Sequence, residues 1–340
     1  MNRRRRRLPR TVLAVAVVAL LGAGSAACAH DPTPPAVDGP PGGGPRTAGA
    51  AVPSGSPVPH PQPSPAPVPP LQPLAGPALP GEGQWQTVVA SHGRPAVQVA
   101  RLRTDPPRNS ALTGVLRIDP TLVRGQLHPG TSDPGGTWQA TTSLTGTQLS
   151  DVAAAFNGGF RLSDRSHNGY YSEGRTVQPL VPGKASLVLH VDGTADVGSW
   201  GQEVQMTPDV ASVRQNLLPL VDGGQVNPTC VKGGEAEWGN TVGRAANVHR
   251  SGFGVTATGA EIYVGGPTMS VCTLGRILQD AGVVRGMELD INPTWVSGTY
   301  FQDRPGGPPQ GFLLFDAERV APQHYLSPTS RDWYAWYVRS

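Results

Sequence analysis

Residues 252–266 read GFGVTATGAEIYVGG, two runs rich in apolar and β-branched residues on either side of Thr258-Gly259. Such runs, separated by a turn signal with glycine, predict a β-hairpin. The stretch ASLVLHVDGTADVGSW (185–200) repeats the pattern around Asp192-Gly193 and predicts a second hairpin. The centre of the chain is therefore expected to be built from antiparallel strands.

A helix is expected directly after the first hairpin. In TMSVCTLGRILQDAG (268–282), apolar residues recur at helical spacing, with Ser270 as the N-cap and Gly282 as the stop. A shorter helix is expected over DVASVRQNL (209–217). Because strands outnumber helices without a steady alternation, we predict an α+β fold: one mixed, strand-rich domain with a few helices over residues 83–340.

Two carboxylates follow the predicted helix in VVRGMELDI (283–291), which is typical of a strand. Residues two apart on a strand face the same side, so Glu288 and Asp290 are predicted to share a face. Such a pair is costly when buried, since each carboxylate raises the pKa of the other. A face that opens into a cleft would make the pair useful.

The N-terminal part of the chain indicates export. Residues 1–28 combine a run of arginines, an apolar stretch and SAAC, which is similar to a bacterial lipobox with Cys28 as the lipidated residue. Lipid attachment, ordinary cleavage and an uncleaved anchor stay open, and each predicts an extracytoplasmic domain, membrane-tethered or secreted. Residues 29–82 are rich in Pro, Gly and Ala and predict a disordered linker.

Charge and cysteine usage narrow the function classes. The net charge of +3 comes from the N-terminal arginines, so nothing indicates a nucleic-acid partner. Cys230 and Cys272 remain after Cys28 and predict a disulfide in an oxidising compartment, with a reactive thiol at Cys272 as the rival. The eight histidines show no zinc-like spacing, so neither a metal nor another cofactor is predicted.

Three segments, in this order, resemble the phosphodiester glycosidase family. They are AAAFNGGF (153–160), HRSGFGVTATGAEIYV (249–264), and the helix TLGRILQDAG (273–282) with MELDINP (287–293). The resemblance implies hydrolysis of a sugar joined through its anomeric carbon to a phosphodiester, here an envelope sugar-phosphate glycoconjugate. It implies catalytic roles for Asp290 and Glu288. The substrate-binding residues it implies are Asn157, Gly158, Gly159 and Arg250, and Asn292 beside Asp290 is also expected to bind substrate.

One departure from the family pattern opens an alternative. The family has Asp-Gly-Gly where this chain has Asp290-Ile291-Asn292. A non-catalytic glycan-binding or scaffolding lipoprotein of the envelope is therefore the second hypothesis, and convergence of Asn157, Arg250 and Asp290 on one open cleft would favour catalysis. An ordinary glycoside hydrolase would need two carboxylates about 5 to 10 Å apart across a groove.

Overall fold

The computed structural model describes residues 68–104, 111–164 and 169–340. The predicted export signal, Cys28 and the linker up to residue 67 lie outside these described residues. Within them, no helix is long and apolar enough to span a membrane.

Strands dominate the described residues and form three antiparallel sheets. The first sheet has the order β1-β2-β3-β14-β13-β15-β11-β12, the second β7-β6-β10-β8-β9 and the third β17-β16-β5-β18-β4. The strands are β1 Gln86–Ser91, β2 Arg94–Arg103, β3 Leu112–Ile118, β4 Val123–His128, β5 Val152–Asn157, β6 Tyr170–Ser172, β7 Arg175–Gln178, β8 Ala185–His190, β9 Ala195–Ser199, β10 Val210–Gln215, β11 Pro219–Asp222, β12 Gln225–Val226, β13 Val248–Thr256, β14 Glu261–Met269, β15 Val283–Glu288, β16 Gly298–Gln302, β17 Gln310–Leu313 and β18 Trp333–Val338.

The α+β fold class predicted from the sequence is wrong. In the described part of the chain, the α-helices are α1 Gln148–Asp151, α2 Glu235–Trp238 and α3 Val271–Asp280, and only α3 is longer than one turn. The helix expected over 209–217 is instead β10, which pairs with β6 and β8. Buried Val210 and Val213 suit a sheet better than a helix, because branching at Cβ restricts helical rotamers. The fold is antiparallel β with one substantial helix.

Both predicted hairpins are present. Strands β13 and β14 pair antiparallel at the centre of the first sheet, with Gly259 at the turn and a φ of 83°. Strands β8 and β9 pair in the second sheet, with Gly193 at a φ of 80°. Positive φ values strain residues that carry a Cβ, so glycine stabilises each turn.

An aromatic stack joins the first and third sheets. The ring of Phe156 in β5 lies 4.2 Å from that of Tyr263 in β14 and 4.6 Å from that of Trp336 in β18, measured between centroids. All three rings are buried, as are those of Trp333, Tyr334 and Tyr337. The aromatic C-terminal strand therefore belongs to the core.

Helix α3 follows the sequence prediction closely. The Ser270 hydroxyl accepts a hydrogen bond from the Thr273 amide at 3.1 Å, and Gly282 has a φ of 85° just beyond the helix. Cys272 in its first turn forms the predicted disulfide with Cys230, with Cα atoms 5.0 Å apart. The confirmed disulfide ties the segment between β12 and β13 to α3.

Residues 68–83 pack against the first sheet ahead of β1. Leu71 is buried, and its amide donates to the Gly83 carbonyl at 2.9 Å. Glu82 forms an ion pair with Arg103 of β2 at 2.9 Å. The described part of the predicted linker therefore contributes to the packed domain.

Candidate functional site

The three segments that carry the family resemblance meet where the first and third sheets approach each other. Strand β5 of the third sheet ends at Asn157, and strand β15 of the first sheet ends at Glu288. In β13, Gly252 pairs with Glu288, and the Ser251 amide donates to the Asp290 carbonyl at 2.8 Å. The Asn157 side chain donates to Ser251 Oγ at 2.9 Å and so connects the two sheets.

The side chain of Asn157 makes its hydrogen bonds to neighbouring residues within the protein. Its Oδ1 accepts hydrogen bonds from the Tyr263 hydroxyl at 2.8 Å and the Ser297 amide at 3.2 Å. Its Nδ2 donates to Ser251 Oγ and to the Gly158 carbonyl. With the residue only 7 % exposed, the structure gives this amide a bracing position between the sheets.

Gly158 and Gly159 pack against charged side chains. A Cβ at Gly158 would overlap the Asp332 carboxylate and lie 2.7 Å from the Asp332 carbonyl oxygen. A Cβ at Gly159 would lie 3.4 Å from the Arg214 guanidinium carbon. Asp332 and Arg214 form an ion pair at 2.8 Å, and Arg214 also donates to the Phe160 carbonyl. Glycine is needed at position 158 because backbone and ion pair come so close there, whereas the contact at Gly159 leaves room for a Cβ.

Arg250 and Glu288 form a second buried ion pair. Arg250 Nε donates to the Met269 carbonyl at 2.9 Å, whereas Glu288 Oε2 has no hydrogen-bond partner among the described residues. Burial raises the pKa of Glu288 to about 7, even though Arg250 opposes the shift. Arg250 also lines a cavity of about 480 Å³ together with Trp238 and Arg244.

Asp290 takes part in a different ion pair. Its Oδ1 accepts hydrogen bonds from the amides of Ile291 at 2.7 Å and Asn292 at 2.8 Å, and its Oδ2 lies 2.8 Å from Arg331 Nη2. Burial raises the pKa of Asp290, while Arg331 and the two amides act against this. All three donors favour the ionised carboxylate.

A larger cavity of about 990 Å³ opens beside Asp290. Its charged and amide-bearing lining residues are Arg161, Asp164, Lys184, Glu235, Asn240, Asp290, Asn292 and Arg331. A concave space into which several polar groups converge is a natural place for a polar ligand, because such groups orient what binds there. We take this cavity as the candidate site.

The two cavities share a wall. Glu235 and Gly239, at either end of α2, line both of them. The predicted site residues are therefore divided: Asp290 and Asn292 line the larger cavity, Arg250 lines the smaller one, and Asn157 is braced between the sheets. Glu288 lies in the Arg250 ion pair, so the two carboxylates have separate partners.

The sequence reasoning missed several cavity residues, and Arg331 and Lys184 are the two that matter most for charge. Arg331 Nη2 donates to the Gly159 carbonyl at 2.6 Å as well as contacting Asp290, and its guanidinium lies 4.9 Å from the centre of the Trp295 ring. The available signal was Arg331-Asp332, an opposite-charge pair directly before an aromatic strand. In the described ranges, no group of three or more His, Cys, Asp or Glu residues could hold a metal ion.

Comparison with known proteins gives remote likenesses only. No family model and no curated protein matches the sequence. The chain is similar to the catalytic domain of zebrafish N-acetylglucosamine-1-phosphodiester alpha-N-acetylglucosaminidase auto-inhibited by its pro-peptide, at 15% identity and a TM-score of 0.46, covering 76% of this chain and 88% of that one. It is also similar to a hypothetical protein from Synechocystis, at 12% identity and a TM-score of 0.41, covering 73% of this chain and 63% of that one. Likenesses this remote say nothing about what this chain does.

Proposed function

We propose that this chain is an extracytoplasmic hydrolase that cleaves sugar-1-phosphodiesters of envelope glycoconjugates. The observation that carries the proposal is the Asp290 carboxylate, held by Arg331 and two backbone amides at the wall of the 990 Å³ cavity. Asp290 also lies within one of the three segments that resemble the phosphodiester glycosidase family. The tether, by lipid at Cys28 or by the N-terminal apolar segment, belongs to the same proposal.

In this proposal the sugar occupies the cavity with its anomeric carbon facing Asp290. Breaking the bond between that carbon and the phosphate oxygen leaves the bonding electrons on oxygen, so the product is a phosphomonoester. An ionised Asp290 stabilises the positive charge that develops on the sugar, or it takes a proton from the water that attacks the anomeric carbon. A phosphate oxygen is a good leaving group, so a single carboxylate in the cavity meets the chemical need.

The remaining predicted residues take supporting places. Asn292 lines the cavity and keeps its predicted role in substrate binding. Asn157, Gly158 and Gly159 brace the loop whose carbonyl accepts from Arg331. The Arg250–Glu288 pair lies beside β13 and β15, from which the chain runs into Asp290.

A non-catalytic glycan-binding or scaffolding role is the second candidate. The observation that favours it is that the predicted site residues do not meet in one cavity. Arg250 pairs with Glu288 and lines the smaller cavity, and the side chain of Asn157 uses its hydrogen-bonding groups on neighbouring residues of the protein. Asp290 is then a structural carboxylate that orders its own loop. A cavity lined with amide and charged groups would still bind a sugar.

Release of free sugar from an anomeric sugar phosphodiester tests the proposal. We expect turnover by the full chain and a loss of about 100-fold or more in Asp290→Asn, measured on protein with unchanged circular dichroism. Asp316→Asn, which changes an exposed carboxylate outside the cavity, is the matched control and should retain full turnover. No release from the unaltered chain with several sugars, or equal turnover in Asp290→Asn, would reject hydrolysis at Asp290.

A further inference from the structure

Lys184 stands out in the larger cavity. The chain has only two lysines, Lys184 and Lys232, among its 27 Lys and Arg residues. Lys184 is half-buried and lines the cavity, and its ammonium group makes no hydrogen bond or ion pair with the other described residues. A partly desolvated cation without a counterion is unfavourable, so it attracts an anion.

The backbone around Lys184 is fixed close to the Asp290 loop. The Lys184 carbonyl accepts from the Trp200 amide at 2.9 Å, and the next residue, Ala185, donates to Leu217 at 3.2 Å. The side chain of Asn216, beside Leu217, donates to the carbonyls of residues 288 and 289 at 2.8 and 2.9 Å. These hydrogen bonds connect the Lys184 backbone to the strand end that carries Asp290.

Arg331 lines the same cavity, and its Nη1 makes no hydrogen bond with the other described residues. Its Nη2 contacts Gly159 and Asp290, and its Nε is buried and so does not face the cavity. Asp290 balances the charge of Arg331. Of the two other lining cations, Arg161 is exposed, whereas Lys184 is half-buried and has no counterion among the described residues. The other lining carboxylates, Asp164 and Glu235, are exposed, where water and salt weaken their influence.

We propose that Lys184 and Arg331 form an anion subsite that binds the phosphate group of the substrate. This assignment rests on the proposed function, because it gives the phosphate a place next to the carboxylate that faces the sugar. Lysine binds phosphate as a mobile point charge, and a guanidinium offers fixed donors beside it. Arg250 is less suited, since Glu288 and the Met269 carbonyl already occupy its donors.

Because the chain has only two lysines, anion binding can be followed at each lysine separately. Reductive methylation with ¹³C-formaldehyde places a labelled dimethylammonium on Lys184, Lys232 and the N-terminus of the full chain and keeps each positive charge. The variants Lys184→Arg and Lys232→Arg each remove one signal and so assign the spectrum. Dimethyl phosphate, a phosphodiester monoanion, is then titrated at fixed ionic strength.

We expect the Lys184 signal to shift and saturate, while that of exposed Lys232 stays in place. A Lys184 signal that does not move, or lysine signals that move in parallel without saturating, would overturn the subsite. Methyl phosphate in a parallel titration distinguishes a diester site from a site for the monoester product.

Kinetics separate this inference from the proposed function. Lys184→Gln should raise the KM for the sugar phosphodiester about tenfold or more, and Lys184→Arg should recover most of the loss. Sugar release with an unchanged KM in Lys184→Gln would reject the subsite and leave the hydrolase standing. Saturable binding at Lys184 without sugar release from any substrate would support the subsite and reject the hydrolase.

Discussion

Two neighbouring residues place their side chains in very different surroundings. Asp332 pairs with Arg214 at 2.8 Å, with both side chains 0% exposed. Arg331 pairs with Asp290 at the same distance, but these side chains are 8% and 3% exposed and line the large cavity. The first pair packs against the loop at Gly158 and Phe160, and the second lies at the wall of the cavity. Similar ion pairs are therefore closed off from solvent in one place and, in the proposed function, available to a substrate in the other.

Breaking the buried Arg214–Asp332 pair should give the largest effect on the free energy of unfolding. Asp332→Asn leaves the Arg214 charge buried without a counterion, and we expect the free energy of unfolding to fall by about 4 kcal/mol. Denaturant unfolding followed by fluorescence measures the change, with the exposed Asp222→Asn as control. A loss below about 1 kcal/mol would show that Arg214 finds another partner.

The third ion pair, Arg250–Glu288, should make the free energy of unfolding depend on pH. The pKa of Glu288 is about 7 in the folded protein against an ordinary value of 4.5, so the unfolded chain releases this proton first as the pH rises. Glu288 should therefore reduce the free energy of unfolding between about pH 4.5 and pH 7. Relative to the unaltered protein, Glu288→Gln should gain on the order of 3 kcal/mol from pH 4 to pH 8. A difference that stays constant across this range would contradict the raised pKa.

Disturbing the close packing of Gly158 against the Arg214–Asp332 pair should have an intermediate effect on the free energy of unfolding. Gly158→Ala forces a methyl group into the Asp332 carboxylate and backbone, and we expect a loss of about 2 kcal/mol in thermal or denaturant unfolding. Gly307→Ala is the matched control, because its Cβ would first meet Arg304 Cδ at 3.7 Å. If both variants lose the same small amount, the loop has more room than its contacts indicate.

Altering the Arg331–Asp290 pair at the cavity should give the smallest effect on the free energy of unfolding. Arg331→Lys keeps the charge opposite Asp290 but loses the guanidinium geometry that also reaches Gly159, so we expect a cost of about 1 kcal/mol. Sugar release should nevertheless fall by about tenfold or more, because the phosphate loses a fixed donor. A stability loss as large as that of Asp332→Asn would erase the distinction between the two pairs.

Local patterns predicted the parts of the fold that local chemistry decides. The turns at Gly193 and Gly259, the Ser270 cap and the Cys230–Cys272 disulfide all follow from residues close in sequence or from cysteine number. The segment 209–217 was misjudged because its short apolar pattern fits a helix or a strand, and pairing with β6 and β8 decides it. The α+β prediction was therefore wrong because strand pairing between distant segments, which local patterns do not show, makes the fold antiparallel β.

The site shows the same division between local and distant information. The sequence placed Glu288 and Asp290 on one strand face, but β15 ends at Glu288 and each carboxylate meets its own arginine. Arg250 comes from the paired strand, whereas Arg331 lies just before a strand of another sheet, 41 positions along the chain from Asp290. Nothing in the sequence around residue 331 names that partner. The sequence therefore singled out Asp290, which lines the cavity, but neither its counterion Arg331 nor Lys184.

Because the Cys230–Cys272 bridge ties one wall of both cavities to α3, we expect the shape of the cavity to depend on the redox state in which the chain is produced. The bridged segment includes α2, which walls both cavities, and its other end runs into β13. In a reducing host cytoplasm the sheets can assemble while this wall stays untethered. We expect protein made there to keep its β-sheets but to bind ligand more weakly than the oxidised protein, and oxidative refolding or production in a periplasm should restore binding.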